Sequence, residues 1–171
     1  MTETNRGITL VEMLTSLACL GLLLAATLPS MGDFIARQTL ISKGNQILGL
    51  VHQARAEGAY RFPVLVCSST GRCRDFQSPA PGLILIADRN DDRQLGPEDQ
   101  ILHQIDLPKG MTVQWRSFRN KPWLRINRRG VAYYQNGHFL LCYRGFAGRV
   151  ILNRQARARR TSGSIEPEAC P

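Results

Sequence analysis

Six arginines follow Cys142: Arg144, Arg149, Arg154, Arg157, Arg159 and Arg160, with no acid between them. The planar guanidinium fork donates two hydrogen bonds at once to a phosphate or carboxylate. Spaced arginines without acids therefore point to an anionic partner read by its charge, a nucleic-acid backbone or a lipid surface. The wider pattern agrees. From Leu107 to Ile165 there is no Asp or Glu, while the same span holds thirteen Lys and Arg, and the whole chain carries +9. Arg149, Arg154, Arg157, Arg159 and Arg160 form the primary candidate DNA-binding set. A nucleic acid met in this way would be bound without regard to sequence, because phosphate contacts carry no base identity. A secondary set, Lys121, Arg125, Arg128 and Arg129, sits with Arg116 and Arg119 among Trp115, Phe118 and Trp123, and Tyr133 and Tyr134 follow. Such aromatics can stack on bases, although tryptophan is more often core, and both tryptophans are expected to be buried.

Other reactive residues support less. Cys19 lies in an apolar stretch and reads as a packing residue. Cys67, Cys73, Cys142 and Cys170 suit two disulfides in an oxidising compartment. Of three possible pairings, Cys67–Cys73 closes a short local loop and Cys142–Cys170 ties down the chain end, and these two are favoured. No C-x-x-C occurs, and His52, His103 and His138 are scattered, so no metal and no cofactor is expected. Asp88, Asn90, Asp92 and Asp99 fall at calcium-loop spacing. The sixth position, however, holds Arg93 where glycine is required and the twelfth is Asp, so the segment reads as a polar hairpin turn. Ser68 and Ser69 lack a G-x-S-x-G context, and no paired acid and base stands out. No catalytic residue is assigned and no enzyme is expected.

These side chains must be positioned by a helix and a set of strands. Met13–Gly32 is twenty residues without a charge, enough to cross a bilayer as one helix. Beyond it, Phe34, Ile41, Ile47, Leu48, Val51 and Ala54 recur at helical spacing, and Gly58 and Pro63 are read as the stop. Strand-like runs follow at Val64–Cys67, Gly82–Ala87, Gln100–Ile105, Met111–Trp115, Leu124–Asn127, Gly137–Cys142 and Arg149–Asn153. The fold class is α+β, a long N-terminal helix packed on an antiparallel β-sheet domain. The expected divisions are a leader at 1–7, a transmembrane helix at 8–32, its amphipathic continuation at 33–60, a β-rich domain at 61–153 and a mobile basic tail at 154–171. Glu12, at the edge of the apolar stretch, needs a cationic partner.

The run Gly7-Ile8-Thr9-Leu10-Val11-Glu12 resembles the prepilin peptidase site of type IV pilins and type II secretion pseudopilins, with Ile8 where Phe is usual. The resemblance implies cleavage after Gly7, N-methylation at Ile8, and a filament contact between Glu12 and the terminal amine of a neighbouring subunit. It implies prepilin peptidase and other pilins or pseudopilins as partners. The location implied is the bacterial inner membrane, with the C-terminal domain in the periplasm before assembly. Pro29 matches a helix-bending proline of that family. Within it, Pro81–Asp92 and the stretch Val150–Arg159, with Ala156 in place of glycine ahead of Arg157 and Arg159, resemble the FimT/GspH branch. FimT-like minor pilins are implicated in binding DNA for natural transformation, so that resemblance implies double-stranded DNA as the partner of the arginines, while GspH-like subunits are filament components that need not bind it. A third reading, a basic patch meeting anionic lipid, stays open.

Overall fold

The structure, a computed structural model, describes residues 7–60, 62–71, 73–132, 134–161 and 170, with the side chains of 26–30 and of Arg74 left aside. The expected leader up to Arg6, the side chain of Pro29, Tyr133 and the tail residues Ser162, Gly163 and Ser164 lie outside the described residues. The element order is α1 (Leu10–Tyr60), β1 (Val64–Ser68), a 3-10 turn (Cys73–Asp75), β2 (Gly82–Ala87), β3 (Gln100–Asp106), β4 (Met111–Ser117), β5 (Leu124–Ile126), β6 (Gly137–Tyr143), β7 (Phe146–Leu152) and β8 (Ala158–Arg160). The chain divides into two compact units after Ile35.

In the first unit Thr9 caps the helix. Its hydroxyl accepts the Glu12 backbone N–H at 3.2 Å, the N-cap half of a Thr-x-x-Glu capping box. Leu10, Val11, Met13, Leu14, Leu17, Leu20 and Leu22–Leu24 are all exposed, an apolar surface that runs round the helix instead of along one stripe. Among the described residues no helix is long and apolar enough to cross a membrane. The expected span, 8–32, includes positions 26–30, whose side chains are not described.

In the second unit two four-stranded antiparallel sheets, ordered β3-β2-β1-β5 and β4-β6-β7-β8, enclose the core. An antiparallel bridge between Ala80 and Val113 links them, with reciprocal backbone bonds of 2.8 and 2.9 Å. The α1 stripe that buries is Ala36, Leu40, Ile47, Leu50, Val51 and Ala54. Ile47, Val51 and Ala54 are shared with the expected stripe, while Ile41 and Leu48 are half-buried and Phe34, in the first unit, is exposed. α1 ends at Tyr60, close to the expected stop over Gly58 and Pro63, and Gly58 falls in its last turn. There an added Cβ would sit 3.1 Å from the Asn127 carbonyl, so its missing side chain admits the chain that follows β5. Trp115 is fully buried against Phe139 at 4.7 Å between ring centroids, whereas Trp123 is only half-buried.

The largest departure is at the C-terminal end. The mobile basic tail expected from residue 154 is, over Arg154–Arg160, a tight loop and strand β8. Val150, Ile151 and Leu152 of β7 pair with Arg160, Arg159 and Ala158. Ala156 is fully buried, so the small residues of this stretch fit beneath a loop.

Candidate functional site

Two loops that share one construction carry the candidate site. After β5 comes Asn127-Arg128-Arg129-Gly130-Val131; after β7 comes Asn153-Arg154-Gln155-Ala156-Arg157. In the first, Asn127 Oδ1 accepts the N–H groups of Arg129 and Val131 at 2.9 and 3.2 Å. In the second, Asn153 Oδ1 accepts those of Gln155 and Arg157 at 3.0 and 2.9 Å. Each asparagine carbonyl takes the N–H three residues on, and each asparagine N–H bonds the carbonyl four residues on. The fourth residue needs positive φ: Gly130 sits at 67° and Ala156 at 55°. Glycine is at home there, and an alanine is held by its surroundings at a cost of about 1–2 kcal/mol. In both loops the arginine after the asparagine, Arg128 or Arg154, is exposed.

Near both loops stands Tyr134, half exposed at 51 % and in a turn with φ of 55°, a conformation bulky residues seldom adopt. The Arg154 guanidinium lies 5.2 Å from its ring centroid and the Arg119 guanidinium 4.8 Å. Cation–π contacts of this kind hold a guanidinium in place while leaving its N–H fork free to bind an anion. A cleft of about 260 Å³ opens beside Tyr134, lined by Arg93, Arg119, Lys121, Trp123 and Arg125 among others. It adjoins a cleft at Arg154 through shared Val131, and a third, with Arg89, Arg128 and Arg129, through shared Arg125 and Asn127. Arg93 and Lys121 both face the Trp123 ring at 5.9 Å. The result is one strip of cations separated by aromatic rings.

The structure thus redistributes the expected residues. Arg154, Lys121, Arg128 and Arg129 lie on the strip. Arg125 does too, but its guanidinium is held by both carboxylate oxygens of Asp91, at 2.6 and 2.7 Å. Arg149 and Arg160 line a separate groove with Arg37, Leu40 and Gly44 of α1. Arg159 pairs with Ile151 in the β7–β8 ladder, and Arg157 closes the Asn153 loop. Arg149 and Arg116 also flank half-buried His138, whose pKa is pushed below its ordinary value by burial and then by these two charges. The site assignments drawn from the sequence omit Tyr134, Arg119 and Arg93. Tyr134 and Arg119 stood in an aromatic and basic run, a signal short of an assignment. Arg93 is brought in by the β2–β3 loop, which no local pattern reveals.

Of the remaining residues, Gly7, Ile8 and Glu12 lie at the exposed start of the first unit. Disulfides join Cys67 to Cys73 and Cys142 to Cys170, and Cys19 is free and exposed.

Comparison with known proteins agrees with this architecture. A family described as Type II transport protein GspH matches residues 43–156. A prokaryotic N-terminal methylation motif matches residues 4–28. No curated protein matches the chain. Two crystal forms of the type IV minor pilin FimU of Pseudomonas aeruginosa strain PAO1 share the fold. One has TM-score 0.52 at 14 % identity, covering 74 % of this chain and 97 % of that one. The other has TM-score 0.54 at 15 % identity, covering 77 % and 96 %.

Proposed function

The chain belongs to the Type II transport protein GspH family, a family of minor type IV pilins and pseudopilins, and from that premise we propose that it is a FimT-like minor pilin that binds double-stranded DNA through the Tyr134 strip. The observation that carries the reading is that the Arg119 and Arg154 guanidiniums both lie over the ring of Tyr134, at 4.8 and 5.2 Å from its centroid. Duplex DNA presents a charge about every 1.7 Å, and a strip of separated cations meets it without reading bases. The output of such binding is DNA uptake in natural transformation. In this reading prepilin peptidase cuts after Gly7, Ile8 becomes the methylated terminus, and Glu12 meets that amine in a neighbouring pilin. Residues 8–32 hold the chain in the inner membrane as a single pass, with the second unit in the periplasm, before it joins the filament. The methylation motif over residues 4–28 and the exposed apolar helix support this. Two disulfides suit an oxidising compartment.

The test is a gel shift of a random-sequence duplex by the full chain in detergent micelles at about 50 mM salt, where phosphate contacts are strong. The wild type is expected to shift the duplex, and a variant with Arg119, Lys121 and Arg154 changed to Gln is expected not to. A wild type that leaves the duplex free would leave the GspH-like role, a purely structural filament subunit. Binding to anionic vesicles in preference to DNA would favour the lipid reading.

A further inference from the structure

The loop between β2 and β3 holds a cluster that the proposed strip does not use. Asp88, at its start, is 0 % exposed. Its Oδ2 accepts the backbone N–H of Arg93 at 3.2 Å. Its Oδ1 is buried with no hydrogen-bond partner among the described residues. Leaving a buried carboxylate oxygen unpartnered is costly, so such an atom asks for a ligand. The same carboxyl belongs to a group of three: ligand oxygens of Asp88, Asp92 and Asp99 lie within 4.8 Å of one another. Two oxygens bound to one calcium at about 2.3–2.6 Å can stand at most about 4.6–5.2 Å apart, so these three can share one ion.

We propose that Asp88, Asp92 and Asp99 form a calcium site that closes the β2–β3 loop. Asp88, Asn90, Asp92, Gln94 and Asp99 fall at the first, third, fifth, seventh and twelfth places of a calcium loop, where the seventh ligand is a backbone carbonyl. The objection drawn from the sequence was the missing glycine at the sixth place. Arg93 stands there at φ of 64°, in the left-handed conformation for which glycine is otherwise selected. The side chain of Asp99, shorter than the usual Glu, is brought in by two backbone donors, Arg89 at 3.0 Å and Gly96 at 2.8 Å. Three carboxylates suit a hard divalent cation, and an irregular loop suits calcium over magnesium, which demands near-ideal octahedral geometry. This site does not depend on the DNA reading.

The test uses the full chain in detergent micelles after chelator treatment. Calorimetric titration with calcium chloride is expected to give one ion per chain, and the thermal midpoint is expected to rise with calcium concentration. Asp92 is exposed, so Asp92→Asn keeps the fold and is expected to weaken calcium binding about tenfold or more. Asp106→Asn, at the far end of β3, is expected to titrate as wild type. Three results would overturn the proposal. One is no heat and no midpoint shift up to about 10 mM calcium, ten times the weak limit of about 1 mM for extracellular modules. The others are an Asp92→Asn titration that superimposes on wild type, and an equal response to magnesium chloride.

Discussion

Asn153→Ala removes one side-chain oxygen and with it two bonds to the backbone, from Gln155 at 3.0 Å and Arg157 at 2.9 Å. Each is worth about 0.5–1.5 kcal/mol net, and water can replace part of that in an exposed loop, so the expected cost is about 1–2 kcal/mol. Asn127→Ala removes the matching pair, at 2.9 and 3.2 Å, and is expected to cost the same. For a chain of this size that lowers Tm by about 2–8 °C. Asn153→Asp and Asn127→Asp keep the acceptor and are expected to lose less than half as much. The assay is thermal unfolding of the full chain in detergent micelles, followed by circular dichroism. Binding separates geometry from charge. Asn153→Ala leaves every arginine in place, so it should weaken DNA binding by loosening Arg154 while leaving the dependence on salt unchanged. An alanine variant with unchanged Tm, or an aspartate variant that falls as far as alanine, would show that the asparagine oxygens do not hold these loops.

Gly137→Ala would drive a Cβ onto the Arg116 backbone oxygen and to 2.8 Å from Ser117 Cα; a loss of at least about 3 kcal/mol, seen as a drop in Tm of about 6–12 °C or more, is expected by the same unfolding assay. His138 has its folded pKa below its unfolded one, so the unfolded chain binds the proton more readily. Stability is therefore complete above about pH 6.5 and declines as pH falls below it toward the folded value. Thermal scans from pH 7.5 to 5 should show that decline, and His138→Gln should flatten this part of it. Asp91→Asn frees the Arg125 guanidinium from its partner. It should tighten DNA binding and steepen its salt dependence by about one phosphate contact, measured by fluorescence anisotropy.

Most of the fold was legible because hydrophobic periodicity is local. The strands Gly82–Ala87 and Gly137–Tyr143 are short apolar runs between turn residues, and seven of the eight strands begin and end close to where those runs do. Strand β8 escaped because Ala-Arg-Arg carries no apolar signal. It pairs with β7 along one edge, held by the Asn153 loop, and arginines at a sheet edge also discourage further pairing. The partition into two sheets depends on pairings such as β1 with β5 and β4 with β6, which sequence spacing does not encode. For the same reason the basic residues could be counted but not sorted. Arg154 meets Arg119 at the Tyr134 ring, while Arg149 and Arg160 line a groove with α1, a sorting that depends on how β6, β7 and β8 pair.

Whether Arg119 and Arg154, both over the Tyr134 ring, neutralise DNA phosphates is read from the slope of log binding constant against log salt for a fluorescent random-sequence duplex, with the full chain and with the Arg119→Gln, Arg154→Gln double variant. Each phosphate contact contributes about 0.9 to that slope, a factor of about 3.5 between 50 and 200 mM salt. The account predicts a slope flatter by about 2 in the double variant, and an affinity deficit that shrinks about twelvefold across that range. Equal slopes for the two proteins, or no binding by the wild type at 50 mM salt, would contradict it.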